Sequence, residues 1–303
     1  MQGTKWSGVF TALATPYSSN GDIEWGQLRE LIDLLLVDGV NGFVVAGSTG
    51  EYYSQSADER KELFRNVKKH VGERATLIAG TSSLSATETF ALTQEAKQIG
   101  FDGCMVLPPV YCLPTFAETR RYFEQVAAIG LPIMIYNNPA RVGVGLSPAQ
   151  TAELASIPNV AAYKESARDL YAIAETYYAT RDRLAHFAGL EPYASALLSR
   201  GASGIVSTIS NLCAREVVNY YKAFRANDAE AVSRNQQVID QLYHLLAHSG
   251  LSSFAFVKTA MSTLGRPGGV TRAPHIMGSD EQTPQIGEAV RQIYARAGIA
   301  LQR

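Results

Sequence analysis

The sequence predicts an α/β protein of the (β/α)8 (TIM) barrel class with a C-terminal helical extension, on three observations. Eight short apolar, β-rich runs recur between Gly8 and about Ala226. Segments of helical period separate them. No Gly-rich dinucleotide turn follows the first run, which argues against the alternative doubly wound sheet.

The expected strands are residues 9–13, 42–46, 76–79, 104–107, 133–136, 160–163, 184–187 and 204–206. Their continuous apolar character fits strands buried on both faces. The first helical segment, 25–36, places Leu28, Leu31, Ile32 and Leu35 at i, i+3, i+4 and i+7, a single apolar stripe able to pack outside a sheet. Segments 57–71, 86–99, 116–129 and 148–155 follow, with Ser56, Ser85 and Ser147 positioned to cap the first turns of three of them. Beyond the eighth unit come three helical stretches without strands, 228–248, 253–264 and 280–297. Residues 1–226 are therefore assigned to the barrel and its active site. Residues 227–303 form the helical extension, read as cover for the barrel exterior or as a separate functional element.

The 303 residues, 46% hydrophobic and 18% charged, suffice for a large core. Twenty-seven basic against 28 acidic residues leave a formal charge of −1, which provides no field for nucleic acid or an anionic membrane surface. The three cysteines, Cys104, Cys112 and Cys213, lack metal-ligand spacing and fit a reduced compartment. The first residues carry no apolar run of the signal-peptide kind, so the expected location is cytoplasmic. His244 and His248 lie at i and i+4 but lack an acidic third ligand, and read as a solvated or packing face; no metal is expected.

In such barrels the chemistry sits where the strands end at their carboxyl side. Lys164 closes the run Val160-Ala161-Ala162-Tyr163, putting an amine at the floor of an apolar-walled pocket; a neutral amine there attacks a ketone, and the resulting iminium draws electrons from the neighbouring carbon without a metal. The bland alternative is a snorkelling lysine, or one paired with Glu165. Gly47-Ser48-Thr49-Gly50-Glu51 offers two hydroxyls between glycines, suited to a carboxylate or phosphate, or else a plain capped turn. Tyr136 ends the fifth strand as a proton-transfer group or a barrel-mouth tyrosine. Arg141 follows Pro139 as a forked carboxylate donor or a surface arginine. Tyr111 stands on the loop carrying Pro108, Pro109 and Pro114, rigid enough to project beyond its own barrel mouth.

Together, Gly47-Ser48-Thr49-Gly50-Glu51, Tyr136-Asn137-Asn138-Pro139-Ala140-Arg141 and Lys164 resemble, in order and spacing, the dihydrodipicolinate synthase/N-acetylneuraminate lyase family. The similarity extends from about Gly8 to Leu264 and includes Gly204-Ile205-Val206-Ser207 and Val257-Lys258. It implies a class I aldolase-type lyase needing no cofactor beyond a covalent imine on Lys164. The substrates it implies are pyruvate or a related 2-oxo acid and an aldehyde, and the assembly a homodimer or a homotetramer built as a dimer of dimers. By the same resemblance Tyr136 shuttles protons and Ser48 and Thr49 hold the 2-oxo acid carboxylate, with Ser48 joining the relay. Val206 contacts substrate, Arg141 binds the second substrate's carboxylate, and Tyr111 completes the relay in the adjoining subunit. The pattern departs at Val142-Gly143, where synthases carry Thr-Gly, at Val110-Tyr111 in place of a tyrosine pair, and at Glu165-Ser166-Ala167-Arg168-Asp169 after the lysine. Arg141 favours a synthase-like reaction. The alternatives are a 2-keto-3-deoxy sugar-acid aldolase, dehydratase or deaminase, an N-acetylneuraminate lyase-like enzyme, or a non-enzymatic ligand-sensing barrel.

Overall fold

The computed structural model describes residues 6–301; residues 1–5, read above as lacking a signal-type run, lie outside them. Eight parallel strands close into one barrel in sequence order: β1 (Gly8–Ala12), β2 (Gly42–Val45), β3 (Thr76–Gly80), β4 (Gly103–Val106), β5 (Ile133–Asn137), β6 (Val160–Glu165), β7 (Ala185–Ala188) and β8 (Gly204–Ser207), with β8 pairing back to β1. All eight expected strands are present, shifted by a residue or two at their ends.

The outer layer begins with α1 (Trp25–Val37), whose Leu28, Leu31, Ile32 and Leu35 are buried as their spacing predicts. It continues through α2 (Ala57–Val71), α3 (Ala86–Ile99), α4 (Phe116–Ala128), the short α5 (Pro139–Val142), α6 (Pro148–Leu154), α7 (Leu170–Thr180), α8 (Ala194–Leu198) and α9 (Ser210–Ala226). The three serines cap as expected: Ser56 and Ser147 form reciprocal capping boxes with Glu59 and Gln150, and the Ser85 hydroxyl accepts from Glu88 N. Asn227, in the left-handed conformation, ends α9. The extension follows as α10 (Ala229–His248), α11 (Ser253–Thr263) and α12 (Gln282–Ala297). No helix among the described residues is long and apolar enough to cross a membrane.

Strand alternation divides the barrel residues between two cores. Phe10, Val44, Ile78, Met105, Met134, Ala162, Phe187 and Val206 fill the interior, while Val9, Phe43, Leu77, Cys104, Ile135, Tyr163 and Ile205 face the helices. One irregularity sets the phase of the site. Ile133 pairs with Val160, but Met134 pairs with Ala162, a one-residue shift that brings Tyr136 opposite Lys164. Without it Tyr136 would face Tyr163, whose side chain points outward, because a single-residue slip exchanges the two faces of a strand.

His186, on the outward face of β7, is 2% exposed and lies between the rings of Tyr163 and Tyr177. Its Nε2 lies 2.8 Å from Thr180 Oγ1, which itself donates to Thr176 O, so the ring is the donor to Thr180. Burial pushes the imidazole down to about 4. With the folded value below the unfolded one, the contribution to stability is full above pH 6.5 and is lost as pH falls toward 4, by roughly 3 kcal/mol. His186→Gln is expected to flatten the fall in urea midpoint between pH 7 and pH 4.5. An unchanged slope would show that this histidine does not govern acid sensitivity.

Candidate active site

The carboxyl ends of the strands open into a cavity of about 490 Å³. Its floor is Lys164, 4% exposed, which follows Ala162 on the inward face of β6. The ammonium lies 4.1 Å from the centroid of the Tyr136 ring on the neighbouring strand. Gly189, just past β7, makes room for it: a Cβ there would stand 2.9 Å from Lys164 Cε and 2.1 Å from Ser166 Oγ. Glu165 is not the partner of Lys164. It faces the opposite side of the strand and accepts from Asn137 Nδ2 at 3.0 Å, Tyr163 OH at 3.0 Å and Ala167 N at 2.6 Å. Burial holds its carboxyl above the usual range despite those donors.

The Tyr136 hydroxyl accepts from Asn138 Nδ2 at 2.7 Å. Burial alone would raise its pKa, but the Lys164 charge, the Asn138 bond and the Arg141 charge together outweigh burial and draw the phenol below its ordinary value. Ser166 Oγ is near enough to the phenol to add to this effect, yet it is buried without a hydrogen-bond partner.

Ser48 and Thr49 line the facing wall, where Thr49 Oγ1 meets Thr208 Oγ1 at 2.9 Å. Their turn is anchored by Glu51, held in the left-handed region at φ 60°. Its fully buried carboxylate accepts from Lys258 Nζ of α11 at 2.6 Å and from Arg272 N at 3.0 Å. Lys258 also donates to Thr15 O and Val270 O, both at 2.7 Å, so the extension fixes the turn. Arg141, on α5, stands at the mouth with its guanidinium 4.9 Å from the centroid of the Phe254 ring.

Five nominated residues, Ser48, Thr49, Tyr136, Arg141 and Lys164, therefore line one cavity, and two do not. Val206 is fully buried in the barrel interior, one layer below; Thr208, two residues on, lines the cavity instead. Tyr111 is 87% exposed and does not line its own chain's cavity. Sequence reasoning missed Ser166, Arg168, Gly189 and Thr208 on the strand-end loops. It also missed the roof, where Tyr243, Leu246 and Ala247 of α10 and Ser253, Phe254 and Val257 of α11 close over the strand ends. The extension is thus part of the site and not only exterior cover. Tyr243 is tied down by Glu191, whose buried carboxylate accepts from the Tyr243 hydroxyl, from Ser207 Oγ at 2.5 Å and from Ile209 N at 3.1 Å. The His244 and His248 rings lie tilted against each other with centroids 4.1 Å apart, and His248 Nδ1 bonds the His244 carbonyl, a contact internal to the helix.

The sequence profile of the dihydrodipicolinate synthetase family matches residues 5–293. A Rhizobium meliloti protein described as an uncharacterized DapA-like lyase is 44% identical over 290 residues, covering 96% of this chain and 97% of its own. The 4-hydroxy-tetrahydrodipicolinate synthase of Moorella thermoacetica is 33% identical over 290 residues, covering 95% of this chain and 98% of its own. Among solved structures, YagE from E. coli K12 in complex with pyruvate superposes with a TM-score of 0.90 at 28% identity, covering 95% of this chain and 98% of that one. The chain belongs to the dihydrodipicolinate synthetase family, and is a lyase of the class I aldolase type.

Proposed function

We propose that Lys164 captures pyruvate or a related 2-oxo acid as an imine and that the enzyme makes or breaks a carbon–carbon bond to an aldehyde, in the manner of a 4-hydroxy-tetrahydrodipicolinate synthase. The observation carrying this reading is the buried Lys164 amine set against Tyr136 beneath an open cavity, with two hydroxyls on the facing wall. The amine adds to C2 of the 2-oxo acid and the oxygen leaves as water, protonated by the Tyr136 phenol. The Tyr136 phenolate then takes a C3 proton to give an enamine, which attacks the aldehyde carbon. The new alkoxide takes a proton from Tyr136, and water then adds to the iminium to release the ketone and the amine, its surplus proton returning to Tyr136. Ser48 and Thr49 hold the 2-oxo acid carboxylate, and Arg141 receives a carboxylate on the aldehyde. The pyruvate bound to the related YagE supports the choice of 2-oxo acid.

Turnover of a panel of aldehydes with pyruvate, assayed in both directions, tests this reading. Arg141→Ala is expected to raise KM for carboxylated aldehydes by roughly tenfold or more, with less effect on neutral ones. Equal effects on both classes would count against the synthase-like assignment. Production of a dehydrated or deaminated 2-oxo acid without an aldehyde would favour the dehydratase or deaminase alternative.

Tyr111 completes the relay in a neighbouring subunit under the same proposal, making the active unit a homodimer, free or within a tetramer. Its support is an exposed tyrosine held at φ 72°, a conformation disfavoured for a side-chain-bearing residue, on a loop where Leu113 is also exposed and left-handed. Mixing inactive Lys164→Ala and Tyr111→Phe subunits is expected to restore activity, because one site in each hybrid dimer is intact. No recovery in hybrids verified by mass would return Tyr111 to a packing role.

A further inference from the structure

The cavity lining carries three cationic side chains, Lys164, Arg141 and Arg168, and no carboxylate. The nearby acids are committed elsewhere: Glu51 to Lys258, Glu165 to Asn137 and Tyr163, and Glu191 to Ser207 and Tyr243. Asp169, adjacent to Arg168, accepts from Tyr171 N and Ala172 N as the N-cap of α7. Neither Arg141 nor Arg168 forms an ion pair among the described residues. Once Lys164 is an iminium, the carboxylate of the captured 2-oxo acid offsets one charge and leaves two guanidiniums at the mouth. They follow adjacent strands, Arg141 after β5 and Arg168 after β6, and Phe254 braces the first. Between Lys164 and Arg168 in the chain stands Ser166, 5% exposed, whose cavity-lining hydroxyl has no hydrogen-bond partner. A buried polar atom left open beside a cavity is most simply satisfied by what the cavity binds.

We infer that Arg168 acts with Arg141 as a two-guanidinium clamp for a second anionic group, so that the substrate class is a 2-oxo acid, or a product built from one, carrying a carboxylate at the end remote from the reacting carbonyl. Arg168 is then a specificity-determining residue, and Ser166 donates to an oxygen of the chain between the two ends. This rests on imine formation at Lys164. It also favours a distal carboxylate over chains ending in neutral hydroxyls, whose oxygens accept but bring no charge to pair with the guanidiniums.

Borohydride trapping reads the clamp as the half-saturating concentrations of 2-oxoglutarate and 2-oxopentanoate, which share chain length and differ in the distal carboxylate. The wild type is expected to trap 2-oxoglutarate at roughly tenfold lower concentration or less, the discrimination a charge-assisted pair supplies. In Arg168→Ala that ratio is expected to fall roughly threefold or more, Arg141 alone remaining, and in Arg168→Lys to an intermediate value, since the charge stays and the fork is lost. Arg168 is exposed, and Arg168→Gln serves as a second neutral variant should the alanine variant not fold. A wild-type ratio near one, or an undiminished ratio in either neutral variant, overturns the clamp. Pyruvate trapped by the wild type without a 2-oxoglutarate preference defeats only this inference, whereas failure to trap pyruvate defeats the Schiff-base reading beneath it.

Discussion

Lys164→Ala is expected to lower turnover by about 10⁴-fold or more, the scale on which enzymes lose activity when a covalent nucleophile is removed. The fold is expected to survive. Lys164 already lines an open cavity, and its loss strands no buried carboxylate, because Glu165 on the other face of β6 keeps its own donors. That separates this substitution from the usual removal of one member of a buried ion pair, which destabilises strongly. The check is kcat/KM with the most active substrate pair, alongside thermal unfolding. A folded variant retaining a tenth of wild-type turnover would require another nucleophile.

Tyr136→Phe is expected to lower kcat roughly a hundredfold or more. The Lys164 charge, the Asn138 hydrogen bond, the nearby Ser166 hydroxyl and the Arg141 charge draw the phenol down against its burial, so it gives up its proton more readily than an ordinary tyrosine. The substitution keeps the ring beside Lys164 and removes only the hydroxyl. The structural penalty is the loss of the acceptor for Asn138 Nδ2, about 1 kcal/mol. A loss mainly in kcat with little change in KM marks a proton-transfer role; a rise in KM alone would make Tyr136 a binding residue.

The barrel was legible because its signals are local. The stripe of Leu28, Leu31, Ile32 and Leu35 and the serine caps act within a few residues, and strand ends locate Lys164 and Tyr136. The rest of the site depends on long-range approach. Nothing in the amphipathic pattern of α10 distinguishes Tyr243, which reaches the cavity, from Leu242, which is buried in the core. The structure likewise gives Lys258, first singled out only by its resemblance, a partner in Glu51. Val206 was chosen one layer too deep; carrying the two-residue alternation onward from it reaches Thr208, which does line the cavity. Ser166 and Arg168 stood out only as departures after the lysine, and their meaning depends on a charge balance visible once the cavity walls are known.

The most direct test is the mass of the intact protein after treatment with pyruvate and borohydride, followed by peptide mapping. The account predicts one pyruvate-derived adduct per chain, located on Lys164 and absent from Lys164→Ala. An adduct on another lysine, equal labelling of Lys164→Ala, or no adduct in the active wild-type enzyme would contradict it.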